Sequence, residues 1–302
     1  MRLARFLGAV GRSCITLGVI ILLFVGYQLW GTGIREAQAQ NRLEDDFQAT
    51  LDAAPSPPTT SASPTSTVPT TVAPIEPVPE GEATARIQMP AIGVDKIVVE
   101  GVSLADLKKG PGHYPDTPLP GQEGNAAIAG HRTTYGAPFH RIDELQPGDE
   151  VLVETVQGKF RYLVKDTEGD GDGHLIVSPS QVEVLDDYGD DRLTLTACHP
   201  KYSARQRIVV VAELAPEEVP LPRPVRETPA TPPATLDDID GEGAPALPAI
   251  LLAVGCGLIW FLAWAVGRRW RKWPAYALGF PFFMVTLFFF FEEFSRLLPS
   301  NF

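Results

Sequence analysis

The sequence predicts a mainly β protein: an eight-stranded β-barrel with short helices, flanked by transmembrane α-helices. Between residues 83 and 215, short runs rich in β-branched residues are separated by turns that contain Gly, Pro or Asp. Helical periodicity in this range covers only one or two turns, at 103–109 and 139–145. Outside it lie uncharged apolar segments of the kind that cross a bilayer. These observations together predict a small barrel attached to a membrane.

Eight strands are predicted, at 85–89, 96–100, 126–129, 150–154, 159–164, 174–177, 193–196 and 208–211. Side chains alternate along a strand, so Thr194, Thr196 and Cys198 share one face at the seventh strand. Arg205 and Arg207 share a face at the start of the eighth. If these two strands pair, either guanidinium could meet Cys198. Arg207 is favoured because it leads directly into the apolar run, and Arg205 stays open.

Three apolar segments predict membrane helices, at 14–30, 246–266 and 275–291. Arginines precede the first segment, and a basic cluster at 267–274 separates the other two. By the positive-inside rule, both of these basic regions are cytoplasmic. The alternative for the first segment is a signal peptide cleaved near 37–39, but that position lies well beyond the apolar run. We therefore expect a multi-pass protein of the cell membrane with an extracellular central domain.

Changes in composition set the domain boundaries. Two Pro-rich segments predict extended linkers on either side of the central domain. The expected order is a cytoplasmic N-terminus (1–13), a transmembrane helix (14–30), a Pro/Ser/Thr-rich extracellular linker (31–82), the central domain (83–215), a Pro-rich acidic linker (216–245), a transmembrane helix (246–266), a basic cytoplasmic turn (267–274), a transmembrane helix (275–291) and a short extracellular tail (292–302).

The composition excludes several classes of function. A net charge of -12 argues against nucleic acid as a partner, because phosphate binding requires a basic surface. Cys14 and Cys256 belong to the apolar segments, so Cys198 is a lone thiol and no disulfide is expected in the central domain. Residue spacing provides no zinc site. An acidic loop at 168–173 hints at Ca²⁺ but favours an acidic hairpin turn. We expect no metal and no cofactor.

Three residues of the central domain suggest acyl transfer. Cys198 offers a thiol that becomes nucleophilic as the thiolate. His131 as an imidazolium could stabilise that thiolate, and the same imidazole could later protonate a leaving amine. Arginine keeps its proton, so Arg207 is suited to stabilising an oxyanion or holding substrate carbonyls. Dispersed over the chain, these three residues alone are a weak signal.

Three longer motifs contain or flank these residues. They are Gly-Pro-Gly-His-Tyr-Pro at 110–115, Gly-Asn-Ala-Ala-Ile-Ala-Gly-His-Arg-Thr-Thr-Tyr-Gly-Ala-Pro-Phe at 124–139 and Leu-Thr-Leu-Thr-Ala-Cys-His-Pro at 193–200. Together they resemble the sortase family. The resemblance covers roughly residues 84–214 and is nearest to the class E housekeeping sortases of Gram-positive actinobacteria. Many relatives have Thr before the cysteine where this chain has Ala197. We expect no effect on the chemistry, because that side chain points away from the thiol.

The resemblance implies a fold, a reaction and partners. Sortases are cysteine transpeptidases on an eight-stranded barrel, of the cysteine-peptidase class of hydrolases. They cleave a C-terminal sorting signal between Thr and Gly through a thioacyl-enzyme. By residue matching, Cys198 is the nucleophile, His131 the general acid/base and Arg207 the stabilising arginine. The implied partners are secreted proteins with a sorting signal, Leu-Ala-x-Thr-Gly rather than Leu-Pro-x-Thr-Gly, and the amine of a lipid II-like cell-wall precursor.

Further residues are candidates for the substrate groove: Thr133, Thr134, Tyr135, Thr196 and His199. His113, in the Gly-rich turn, is expected to be structural. Three other functions stay open. They are a pilin-polymerising sortase that uses a lysine amine, a hydrolytic cysteine protease of the same fold, and a non-enzymatic membrane scaffold.

Overall fold

The computed structural model describes residues 2–53, 78–167, 171–223, 246–269, 271–295 and 297. They form two compact units, one within 1–31 and 241–300 and the other within 32–240. The predicted Pro-rich linkers at 54–77 and 224–245, and residues 168–170 of the acidic loop, lie outside the described residues.

The first unit consists of helices. They are α1 (Arg2–Gly26), a short π-helical segment (Tyr27–Gly31), α4 (Leu247–Arg269) and α5 (Lys272–Ser295). Tyr27, Cys256, Leu287 and Phe291 form a buried cluster within this unit. The described part of the chain has three helices long and apolar enough to cross a membrane, at Val10–Ala53, Leu247–Arg269 and Trp273–Ser295. This agrees with the three apolar segments identified in the sequence.

The second unit is the barrel. Its elements are α2 (Thr32–Ala53), β1 (Ala83–Met89), β2 (Val94–Glu100), α3 (Leu104–Leu107), β3 (Gly112–His113), β4 (Asn125–Ala129), β5 (Glu150–Thr155), β6 (Gly158–Val164), β7 (Leu175–Val177), β8 (Arg192–His199) and β9 (Gln206–Leu214), with single 3₁₀ turns at Pro90–Ile92, Ile142–Glu144 and Val182–Leu185.

Strand pairing closes the sheet into a ring. The order is β6-β5-β1-β2-β3-β4-β8-β9, and a further pairing of β6 with β9 completes the circle. β2–β3 and β4–β8 pair in parallel, while the other neighbours are antiparallel. The predicted eight-stranded barrel is therefore confirmed. One member of the ring, the two-residue β3, was not predicted, and the predicted strand at 174–177 is β7, which pairs with β9 beside the ring.

The interior of the barrel is filled by alternate side chains of each strand. Leu193, Leu195 and Ala197 of β8 and Ile208 and Val210 of β9 belong to this core. Burying side chains of this size stabilises the fold by roughly 1.5–3 kcal/mol each. Because the alternate residues of β8 and β9 point inward, the set that includes Cys198 and Arg207 lies on the outer face of the barrel wall.

Residues 32–53, which the sequence analysis placed in the linker, are helical and pack on the barrel as α2. Leu43 and Phe47 are buried against Ile97 and Val99 of β2. The amide of Gln40 bonds the sheet edge, donating to the Ile97 carbonyl at 2.9 Å and accepting from its N–H at 2.8 Å. The physical reason is an apolar side chain at every fourth position, which forms one helix face.

Candidate active site

The register of β8 and β9 places Cys198 directly opposite Arg207. Paired residues of neighbouring strands project to the same face, so the thiol and the guanidinium lie on the same side of the wall. Arg205 precedes the first residue of β9 and is exposed. Of the two arginines that the sequence left open, the strand pairing thus brings Arg207 to the cysteine.

Arg207 is held at the start of β9 by backbone carbonyls. Its Nη1 donates to the carbonyl oxygen of Ala204 at 2.9 Å and to that of Gln206 at 3.3 Å. Only 1% of the residue is exposed, so its positive charge lies largely out of water. A cation in such surroundings interacts more strongly with a developing negative charge than an exposed one does.

His131 approaches Cys198 from the opposite side of β8. The parallel pairing of β4 and β8 sets Ala129 opposite Thr196. The N–H of Gly130 then donates to the Thr196 carbonyl at 3.0 Å, which continues the register past the end of β4. Extended by one more residue, this register sets His131 level with Cys198. The register thus predicts a histidine on the β4 side of the cysteine, and the β8–β9 pairing sets an arginine on its β9 side.

The imidazole of His131 is buried, with 8% of the residue exposed. The ring of Tyr135 lies against it, with the two ring centroids 5.1 Å apart. Burial, and then the charge of Lys108, lower the pKa of His131 to about 4. The resting imidazole is consequently neutral at pH 7. Its Nε2 has no hydrogen-bond partner among the described residues, which leaves this nitrogen available to exchange a proton.

Two of the groove candidates lie on β8 with Cys198. Thr196 is buried on the same face of β8 as Cys198, and its Oγ1 lies 3.1 Å from the hydroxyl of Tyr114. His199 follows Cys198 and is half-buried. Thr134, in the loop after β4, is buried, and its backbone carbonyl accepts from the N–H of Ala137 at 2.9 Å. Thr133 is half-buried in the same loop.

His113 has a structural environment, as its position in the Gly-rich turn suggested. It is fully buried, with Nδ1 2.8 Å from Oε2 of Glu100 and Nε2 2.9 Å from the carbonyl of Pro118. In the described ranges, no three His, Cys, Asp or Glu residues are arranged to hold a metal ion. The candidate Ca²⁺ loop falls partly on residues 168–170 and stays a sequence-based hypothesis.

Two features of the site were missed by sequence reasoning. Arg132 is buried and contacts the backbone of Cys198, although it was read only as part of the motif that follows His131. Thr32, at the start of α2, accepts a hydrogen bond from the N–H of Tyr135 at 3.1 Å. The four-residue spacing of Leu43, Phe47 and Leu51 was a usable signal for α2. No sequence signal points to the partners of Arg132.

The part of the chain that forms the barrel matches a known family. Residues 87–215 fit the family model for the Sortase domain. The chain is 33% identical to Sortase SrtE1 of Streptomyces coelicolor over 228 residues, which is 69% of this chain and 57% of that protein. It is 28% identical to Sortase SrtE2 of the same organism over 234 residues, 71% of this chain and 84% of that protein.

A solved structure of sortase E1 from Streptomyces coelicolor, with a tripeptide in its active site, is 34% identical. The match covers 46% of this chain and 91% of that one, with a TM-score of 0.41. This chain belongs to the sortase family. Its relatives include the two class E sortases SrtE1 and SrtE2, and also Sortase D of Bacillus subtilis, to which it is 31% identical over 121 residues, 40% of this chain and 56% of that protein. The chain spans little more than half the length of SrtE1.

Proposed function

We propose that this protein is a membrane-anchored class E sortase that uses Cys198 as nucleophile, His131 as general acid/base and Arg207 as oxyanion stabiliser. The observation that supports this proposal is the strand register: Cys198 pairs with Arg207 on β9, and the β4–β8 pairing, extended two residues beyond Ala129, sets His131 level with Cys198 on its other side. A nucleophile, a proton carrier and a fixed cation at one point of a sheet are the components that acyl transfer requires.

The first step is attack of Cys198 on the threonine carbonyl of a sorting signal. Burial keeps His131 neutral, so its imidazole takes the thiol proton as the C–S bond forms. From its sequence alone, His131 was expected to act as an imidazolium that stabilises a preformed thiolate. With a pKa of about 4, the neutral imidazole acting as a base is the better description. Arg207 donates to the oxyanion, where a buried cation has its largest effect.

Collapse of the tetrahedral intermediate breaks the Thr–Gly bond. The imidazolium of His131 gives its proton to the departing glycine amine, and the threonine acyl group stays on the sulfur of Cys198. An incoming amine then attacks the thioester while the neutral imidazole accepts its proton. The second tetrahedral intermediate collapses, the new amide is released and the thiol is restored. The proton balance closes over the two halves of the reaction.

The substrates and location follow from the family together with the helices. A Leu-Ala-x-Thr-Gly signal on secreted proteins and the amine of a lipid II-like cell-wall precursor are the proposed donor and acceptor. Three apolar helices support a multi-pass protein of the cell membrane. The positive-inside rule places the barrel on the extracellular face, where both substrates are available. The acceptor amine decides between this role and that of a pilin polymerase or a hydrolase.

The experiment uses the full chain in detergent with Leu-Ala-x-Thr-Gly and Leu-Pro-x-Thr-Gly peptides, in the absence of an acceptor, with triglycine, or with a pilin peptide that carries a lysine. We expect cleavage after Thr, a ligated product with triglycine and a faster reaction of the Leu-Ala-x-Thr-Gly peptide. Absence of cleavage of both peptides contradicts the proposal. Cleavage that never yields a ligated product favours a hydrolytic protease, and ligation only to a pilin lysine favours the pilin polymerase.

A further inference from the structure

Arg132 follows His131 in the chain, and its side chain reaches the strand that carries Cys198. Nη1 donates to the carbonyl oxygen of Cys198 at 3.3 Å and to Nδ1 of His199 at 3.0 Å. Nη2 pairs with Oδ2 of Asp143 at 2.8 Å. Only 3% of Arg132 is exposed, so these bonds are formed largely out of water, where charge-assisted hydrogen bonds are strong.

Asp143 and His140 hold Arg132 in this position. Burial acts to raise the pKa of Asp143, but the hydrogen bond and charge of Arg132 bring it below its usual value overall. Asp143 is therefore a carboxylate at neutral pH, and Nζ of Lys201 lies 3.7 Å from its Oδ1. The ring Nδ1 of His140 donates to the backbone carbonyl of Arg132 at 2.9 Å. Both the backbone and the side chain of Arg132 are thus fixed by neighbours.

The contact with His199 sets the state of that ring. A guanidinium only donates hydrogen bonds, so Nδ1 of His199 accepts and the ring proton lies on Nε2. Burial, and then the charge of Arg132, lower the pKa of His199, so the ring is neutral at pH 7. Arg132 consequently orients the peptide and the ring on the C-terminal side of the nucleophile. This gives His199, a groove candidate, a role in the support of Cys198.

These bonds link two parts of the site that otherwise belong to different segments. The backbone of Arg132 continues directly from His131, whereas its guanidinium binds the carbonyl of Cys198. A displacement of about 1 Å between reacting groups lowers rates by about 10²-fold. A rigid connection from the imidazole-bearing loop to the thiol-bearing strand therefore has a direct effect on the rate.

We propose that Arg132 is a positioning residue for transpeptidation, an inference that rests on the function proposed above. Its guanidinium fixes the Cys198–His199 peptide relative to the loop that carries His131. It acts through the backbone of Cys198 and the ring of His199, and the reacting sulfur is left to His131 and Arg207.

The test is Arg132→Lys in the full chain. Lysine keeps the charge, but one ammonium cannot replace a planar fork that spans a carbonyl, an imidazole and a carboxylate. We expect kcat to fall at least about 10-fold with KM within about twofold, because alignment is lost while substrate binding stays. Asp143→Asn removes one support of the guanidinium and should give a smaller fall in kcat. Arg141→Lys, at an exposed arginine paired with Glu144, is the matched control with unchanged kinetics.

A second readout needs no sorting peptide. Alkylation of Cys198 by iodoacetamide at pH 7, followed by peptide mass mapping, should be several-fold slower in Arg132→Lys because the imidazole is no longer aligned to take the thiol proton. Thermal unfolding of each variant identifies losses that come from unfolding. Any of four results for Arg132→Lys would overturn the inference. They are a wild-type kcat, a rise in KM at constant kcat, an unchanged alkylation rate, and a loss of activity that is explained by the fraction of unfolded protein. If the wild type is alkylated but cleaves no peptide, the proposed function fails and the alkylation comparison still decides for Arg132.

Discussion

The two sides of Cys198 are positioned by different means. On the β9 side, Arg207 belongs to an antiparallel ladder that runs from Arg192↔Glu213 to His199↔Gln206. On the β4 side, the strand ends at Ala129 and the next residues form a loop. In that loop Tyr135 and Ala137 have φ angles of 49° and 42°, in the left-handed region that non-glycine residues rarely adopt.

Contacts from other elements hold the loop. A non-glycine residue in this region costs on the order of 1–3 kcal/mol and persists only when its surroundings impose it. Here Thr32 of α2 accepts from the Tyr135 N–H, Nζ of Lys108 lies 5.6 Å from the centre of the Tyr135 ring, and Arg132 binds β8. On the β9 side, the backbone ladder therefore fixes the thiol of Cys198 relative to Arg207. The position of His131 depends on contacts that the loop makes with α2, Lys108 and β8.

We expect the largest effect on activity from the removal of Cys198, the residue between the two sides. Cys198→Ala in the full chain should abolish cleavage and ligation, because no other group in the proposed site is a nucleophile. Its thermal unfolding temperature should stay close to that of the wild type, since Cys198 is only half-buried. Residual turnover above background, measured by mass spectrometry of the peptide products, would refute the assignment.

Removing the arginine tests the ladder side. Arg207→Ala should lower kcat/KM by at least about 10²-fold, as loss of an oxyanion donor does. Arg207→Lys keeps a cation if the alanine variant fails to fold, and should also be strongly impaired. Arg205→Ala, at an exposed position outside β9, is the control and should stay within about twofold. If Arg205→Ala is the damaging change, the functional use of the β8–β9 register is wrong.

A titration that measures the pKa of His131 tests the loop side of the site. The chain has five histidines, so a histidine-selective NMR titration is tractable, with His131→Gln to assign the signal. We expect a pKa of about 4 in the wild type. Tyr135→Ala exposes the ring, relieves the desolvation that disfavours the imidazolium, and should move the pKa up toward the ordinary value.

The direction in which kcat/KM changes with pH follows from the role of His131 as general base. The base works only when neutral, so kcat/KM should fall as the pH drops through the pKa of His131. The acid limb of the pH profile should therefore lie at higher pH in Tyr135→Ala than in the wild type. If the pKa of His131 rises in Tyr135→Ala but the acid limb of the pH profile stays where it is in the wild type, His131 is not the general base.

The smallest expected effect is on α2, which supports the loop side from a distance. Gln40→Ala leaves the buried N–H and carbonyl of Ile97 without the bonds that the side chain makes. The free energy of unfolding should decrease by about 1–3 kcal/mol. Differential scanning fluorimetry of the full chain measures the corresponding decrease in the unfolding temperature. Gln48→Ala, on the exposed side of α2, is the matched control, and an equal shift in both variants would argue against a specific role of the α2 contact.

Sequence patterns predicted most of the barrel, because alternating β-branched runs and turn residues are local signals. All eight predicted strands correspond to observed ones. Parity allowed either Arg205 or Arg207 to meet Cys198, and the register of β8 and β9 sets Arg207 opposite it. β3 was missed because two residues in a Gly-rich turn carry no periodicity. Its pairing with β2 and β4 is a property of the closed ring.

Long-range contacts of polar side chains could not be predicted. Arg132 and Asp143 are close in the chain, but their approach to Cys198 depends on how the loop after β4 crosses β8. α2 could have been predicted, unlike the contacts of Arg132, because its apolar stripe is present in the sequence. It was missed because the Pro-rich segment that follows it led to the assignment of the whole region as a linker. The neutral state of His131 also required the structure, since it results from burial.

The central claim is that Cys198 forms an acyl-enzyme with a sorting signal. Intact-mass spectrometry of the full chain, incubated with a Leu-Ala-x-Thr-Gly peptide in the absence of an amine, measures this directly. We expect an adduct with the mass of the peptide up to its threonine, mapped to Cys198 and discharged when triglycine is added. Cleavage with no adduct at Cys198, or an adduct at another residue, would contradict the account.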